Sequence, residues 1–185
     1  QQSSDSNSQT GPQTILVYDL GGGTFDVSIV KIDGYEFVTL ATDGDVQLGG
    51  IDWDQRIVDM IAEQFIAAHS SDPRNDPNTL GRIWREAQDA KHTLTARQEC
   101  TLTCDYQGNA ISFTLTRDEF AAITSDLVER TKFTTIQTLA AAQLEWDTID
   151  RILLVGGSTR MHMINDMLTQ LSNRPLDQSV SPDEA

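Results

Sequence analysis

The chain is 185 residues long, 38% hydrophobic, and carries 28 acidic against 13 basic side chains for a net charge of −15. That length is one ordinary domain able to bury a sizeable core, while the acidity argues against nucleic acid or an anionic membrane as partner and against diffuse attraction of a nucleotide. No apolar run approaches membrane-spanning length and no signal sequence is visible, so a cytoplasmic protein is expected.

Residues 1–13 are polar and low in complexity and read as a disordered arm or linker. Three strands are predicted next, near 14–20, 24–32 and 35–42, the second turn being Asp33-Gly34, so that they form an antiparallel meander. Between the first two stand Gly21, Gly22, Gly23 and Thr24. A two-residue turn needs one or two glycines, and three point to bare backbone brought against a ligand, with consecutive amides forming an anion nest. Asp19 and Asp26 interrupt the flanking apolar runs, where an unpaired charge is costly, and two such carboxylates can hold a hydrated divalent cation beside a phosphate. The competing reading is a flexible turn. A P-loop is excluded, because a second strand follows the glycines instead of Gly-Lys-Ser/Thr and a helix.

A helix is predicted over 52–68 from Ile57, Ile61, Phe65 and Ala68, with Asp52 as its cap. Two prolines break the pattern within 70–78, after which Leu80, Ile83, Trp84, Ala87, Ala90 and Leu94 trace a second helix. Lys91 and Thr95 lie one turn apart on it, a spacing that suits hydrogen bonds to a ribose or base edge and equally suits a solvated face. Strands near 98–106 and 110–116 turn around Gly108-Asn109. Cys100 and Cys104 stand four apart in a strand, roughly 13 Å and so beyond the ~7 Å limit for a bridge, and are expected to be two reduced core thiols. His69, His92 and His162 show no ligand spacing, so no metal cluster is expected from them.

Thr116 and Glu119 form a capping box that is expected to open one long helix, with Phe120, Ile123, Leu127 and Leu139 inward, ending before Asp147. Residues 151–155 read as a buried strand, Gly156, Gly157 and Ser158 as a tight turn, and 161–171 as an amphipathic helix. A helix start preceded by glycines offers amides, a positive dipole end and room for a flat ligand, although an ordinary strand-to-helix connection has the same pattern. Arg160 can stack its guanidinium on a base, or be a solvated charge.

Residues 19–28 resemble the second phosphate-binding hairpin of the seventy-kilodalton heat-shock chaperones. Residues 48–54, 90–95, 154–160 and 181–185 resemble later signatures of the same ATPase domain, in the same order. The resemblance implies an α/β fold, a ribonuclease-H-like (actin-like ATPase) lobe of mixed sheet and helices with an inserted α+β subdomain. Residues 14–45 and 146–185 would form its core and 46–145 the insertion. It further implies that Gly21, Gly22, Gly23 and Thr24 hold the phosphates of ATP or ADP. Asp19 would stand in the hydrated Mg2+ shell, with Asp26 at a second cation position where K+ is a candidate. Lys91, Thr95, Gly156, Gly157, Ser158 and Arg160 would form the adenosine pocket, with Asp183 close by.

Three positions depart from the family pattern: Gln88 replaces a glutamate, His92 a larger basic residue and Ile51 an acidic one. The family's first phosphate hairpin, catalytic lysine and water-positioning acid belong to the other lobe, and phosphoryl transfer needs groups on both sides of the γ-phosphate. No complete catalytic set is therefore expected here. The chain reads as the second lobe of the ATP-binding domain of a stress-responsive chaperone, a piece of a longer protein. Its parent would couple ATP hydrolysis to binding and release of unfolded peptides, with a J-domain co-chaperone and a nucleotide exchange factor as partners. Two other readings stay open: a small-molecule kinase of the same superfamily, and a non-hydrolysing chaperone relative acting as an interaction scaffold, which Gln88, His92 and Ile51 favour.

Overall fold

The computed structural model describes residues 11–177; residues 1–10 of the expected arm, and Asp183 with the rest of the last signature, lie outside the described residues. Strands β1 (Gln13–Leu20), β2 (Phe25–Asp33) and β3 (Glu36–Asp45) form the expected antiparallel meander. Helices α1 (Gly50–His69) and α2 (Pro77–Ala96) follow, then a hairpin of β4 (Glu99–Tyr106) and β5 (Asn109–Thr116), which makes a separate two-stranded sheet. After α3 (Arg117–Ile123) and α4 (Ser125–Ala141) the chain returns as β6 (Arg151–Val155), α5 (His162–Ser172) and β7 (Leu176–Asp177). The main sheet has the order β3-β2-β1-β6-β7, with β6 parallel to the central β1, so the sheet is mixed as expected. No described helix is long and apolar enough to cross a membrane.

Strand alternation places the core. Leu16, Tyr18 and Leu20 on β1 and Phe25, Val27 and Ile29 on β2 point to one face and are fully buried. On the other face Ile15, Val17 and Asp19 are only half-covered. Ile57, Ile61 and Phe65 of α1 are buried together with Trp53, Val58 and Ala62, whereas Ala68, at the end of the helix, is exposed. Asp52 caps α1 from inside its first turn, accepting the Gly49 N–H at 2.8 Å, and the N-cap itself is Gly49. Asp76 caps α2 by accepting the Thr79 N–H at 2.8 Å, ahead of Pro77 in the first helical position.

Two local expectations are corrected. The β4–β5 turn sits on Gln107 and Gly108, with φ of 51° and 78°, one residue earlier than Gly108-Asn109. Two successive positive φ values are what a tight hairpin of matching twist requires. The single long helix after the Thr116–Glu119 capping box is instead broken at Thr124, whose buried hydroxyl donates to Phe120 O at 2.7 Å. A side chain that competes for its own helix's carbonyl favours such a break. Beyond it, α4 turns Leu127 and Leu139 inward together with Thr131, Thr135 and Thr138, while Ile123 is only half-buried. These hydroxyls donate to Val128 O, Thr131 O and Thr134 O, which satisfies them within their own helix. Cys104 is buried and Cys100 half-buried, and both are free thiols.

Candidate functional site

The glycine hairpin between β1 and β2 is closed by Gly21 N–H donating to Thr24 O at 3.0 Å. Its carbonyls are taken up by the start of α1: Gly50 N–H donates to Gly21 O at 2.9 Å and Ile51 N–H to Gly22 O at 2.8 Å. The first amides of α1, orphans in any helix, thus hold the hairpin in place. Such proximity demands glycine, since a Cβ on Gly49 would stand 2.4 to 2.5 Å from the backbone of Gly23. Gly22 and Gly23 are exposed, and a Cβ on either would meet nothing within 4 Å, so bare backbone faces open space.

The strand-to-helix turn after β6 reaches the same place. Gly156, at φ +85°, passes so close to the end of β1 that a Cβ there would lie 2.3 Å from Leu20 O and 2.9 Å from Asp19 Oδ1. Ser158 is buried and its hydroxyl donates to Gly21 O at 3.0 Å. Thr159 closes the turn by donating to Gly156 O at 2.7 Å, and Asn165 Nδ2 donates to Thr159 O at 2.8 Å. Gly157 faces open space, and Arg160 is exposed at the end of the turn.

From α2 comes Lys91, whose ammonium donates to Gly50 O at 2.8 Å and to Asp54 Oδ2 at 2.9 Å. A Cβ on Gly50 would stand 2.3 Å from Ser158 Oγ and 3.1 Å from Lys91 Nζ. The hairpin, the start of α1, the middle of α2 and the turn after β6 therefore meet around one glycine. Hydrogen bonds join Gly21, Gly22, Thr24, Ser158 and Lys91 into this cluster, and Gly156 packs against its edge. Thr95 takes another course, donating to His92 O at 2.7 Å within its own helix. Asp54 is the member that the sequence reading missed. It is a carboxylate on the inward side of α1, 3% exposed, beside Trp53, Ile57 and Val58. Burial pushes its carboxyl above the ordinary range, against the opposing pull of Lys91.

Asp19 and Asp26 face each other directly across β1 and β2. Asp19 is half-buried, and its carboxyl is pushed up first by burial and then by the charge of Asp26, which is itself exposed. Gly44 on β3 leaves the space beside Asp26, where a Cβ would lie 2.8 Å from Oδ1. Among the described residues no three His, Cys, Asp or Glu side chains converge as a ligand set, so this is a two-carboxylate edge that suits a hydrated cation. An acid whose folded-state pKa is raised costs stability above that pKa, and the cost disappears as pH falls toward the unfolded value. Asp19→Asn is therefore expected to stabilise the cation-free chain at neutral pH by about 0.5 kcal/mol, about 1–2 °C in Tm. The gain should vanish on acidification through the carboxylate range; thermal unfolding in a chelator at several pH values checks it.

Residues 5–185 match the family model described as Hsp70 protein. The chain is 43% identical over 178 residues to chaperone protein dnaK3 of Synechococcus elongatus, covering 93% of this chain and 24% of that protein. It is 42% identical over 179 residues to chaperone protein DnaK of Halobacterium salinarum, covering 94% of this chain and 28% of the relative. Against chaperone protein DnaK of Metamycoplasma hominis the figures are 37% over 178 residues, 93% and 30%. The chain thus spans 24 to 30% of the length of these relatives.

Proposed function

This chain belongs to the Hsp70 protein family, and from that premise we propose that it is the second lobe of the family's ATP-binding domain. The observation that carries the reading is the convergence on Gly50, where hairpin, α1, α2 and the turn after β6 meet beside backbone that only glycine permits. Gly21, Gly22, Gly23 and Thr24 would cradle the phosphates of ATP or ADP. Asp19 and Asp26 would face hydrated Mg2+, with K+ as a further cation, and Lys91, Thr95, Gly156, Gly157, Ser158 and Arg160 would receive the adenosine. Bound Mg2+ would supply charge neutralisation on the phosphate oxygens. This chain's own residues orient the nucleotide and keep its phosphates against backbone donors.

Residues 14–45 and 146–185 would be the core subdomain and 46–145 the insertion on which an exchange factor acts. In the intact protein the lobe would contribute to a cytoplasmic ATPase that, with a J-domain co-chaperone, drives binding and release of unfolded peptides. A second reading, a non-hydrolysing relative that uses nucleotide to hold its shape, draws support from Ile51: its side chain is 53% exposed at the hairpin, where the family places an acid. Turnover of ATP by the intact protein separates the two. For this chain by itself, calorimetry should give a millimolar dissociation constant for Mg-ADP, about −4 kcal/mol, because half of the contacts are supplied by the other lobe. A submicromolar constant would overturn the half-site reading.

A further inference from the structure

We propose that Asp54 is the positioning residue for Lys91, and that the chain Asp54, Lys91, Gly50 ties α2 to the glycine hairpin so that filling the hairpin and placing α2 are one equilibrium. The inference rests on the nucleotide reading above. Asp54 is 3% exposed and the Lys91 side chain 12%, so both charges have been taken out of water. Such a pair contributes little net stability compared with apolar residues of the same volume, so its presence calls for a positional reason. That reason is visible in the connections.

A lysine ammonium is a point charge on a flexible stem, and one hydrogen bond does not fix it. Here Nζ stands 2.8 Å from Asp54 Oδ1 and 2.9 Å from Oδ2, with hydrogen-bond geometry at Oδ2, and it donates at the same time to Gly50 O at 2.8 Å. Two of its three donors are thereby committed, one to a carboxylate and one to a backbone carbonyl. The Gly50 residue is held from both ends, because its N–H donates to Gly21 O at 2.9 Å while its carbonyl accepts from Lys91. Ser158 Oγ meets the same Gly21 oxygen at 3.0 Å. Planar peptide units and short hydrogen bonds transmit a displacement of the hairpin to Lys91, and the reverse, without a flexible link between them. Neutralising Asp54 removes the charged one of the two groups that hold the ammonium in this place, leaving the Gly50 carbonyl.

The test uses this chain and Asp54→Asn, which keeps the shape and removes the charge, with Lys91→Gln as the second variant should the first not fold. Without ligand, amide exchange at Gly50 and Ile51 should accelerate about ten-fold in Asp54→Asn while Leu102 and Leu115 of the β4–β5 hairpin keep their rates. Unchanged exchange at Gly50 and Ile51 overturns the proposal whether or not nucleotide binds. With Mg-pyrophosphate, which can fill the hairpin but has no part to place on α2, heteronuclear NMR shifts in the unaltered chain should spread to amides around Lys91. In Asp54→Asn they should stay on Gly21–Thr24. An equal spread in both chains, even with a lower Tm for the variant, reduces Asp54 to a structural residue and overturns the proposal. No shifts in the unaltered chain would count against the nucleotide reading instead, and the exchange arm would still decide the coupling.

Discussion

Gly156→Ala is expected to cost about 3–4 kcal/mol, enough to leave a domain of ordinary stability close to unfolding. Two effects add at this one position. A residue with a side chain at φ +85° is strained, and its Cβ would lie 2.3 Å from Leu20 O and 2.6 Å from Leu20 C, atoms of the central strand that cannot swing away. The next residue is the control. A Cβ on Gly157 meets nothing within 4 Å, so Gly157→Ala should stay within about 0.5 kcal/mol of the parent. Urea unfolding of the two variants checks the contrast. Equal, small losses would mean that β6 can move away from β1 freely, and the turn would then be no rigid wall of a binding site.

Lys91→Met is expected to be similarly damaging, at about 3–5 kcal/mol, because it leaves the buried Asp54 carboxylate without its partner. The loss should be much smaller in Lys91→Met combined with Asp54→Leu, where no charge is left behind, so the two substitutions are strongly non-additive. pH gives an independent reading. Burial already pushes the Asp54 carboxyl up, with Lys91 and, at longer range, His92 pulling it down. Removing Lys91 raises it further, so the penalty is fully present at neutral pH and shrinks as pH falls through the folded-state value. A deficit that does not narrow on acidification, or a double variant as unstable as the single, would show that Lys91 acts through packing alone.

The parts of this molecule that were legible in the sequence are those where one residue type answers one steric demand. Three glycines after Asp19 pointed to backbone left bare for a ligand, and Gly22 and Gly23 do face open space, whereas the close approach of Gly49 to Gly23 and of Gly156 to Leu20 was not read from the sequence. The meander was legible because its second turn carries Asp33-Gly34 and apolar, strand-like runs flank the glycines. The break at Thr124 was not, since Phe120 and Leu127 keep helical spacing on either side and only a hydroxyl competing for a carbonyl separates the segments. Asp54 was hidden for a related reason. Periodicity marks apolar residues, and an acid between Trp53 and Ile57 shows its role only once Lys91, 37 residues away, is brought to it. Spacing likewise put Lys91 and Thr95 on one face, yet tertiary contact takes Lys91 to Gly50 and leaves Thr95 bonded to its own helix. At two residues, β7 is too short for any pattern.

The most direct test of the half-site is a heteronuclear NMR titration of this chain with Mg-ADP, set against Mg-GDP and against a Gly157→Val variant that fills the open space after β6. The account predicts weak, saturable shifts on residues 21–24, Lys91 and residues 156–160, selective for adenine and lost in the variant. Shifts that are absent at several millimolar ligand, or equal for the two bases and indifferent to Gly157→Val, would contradict it.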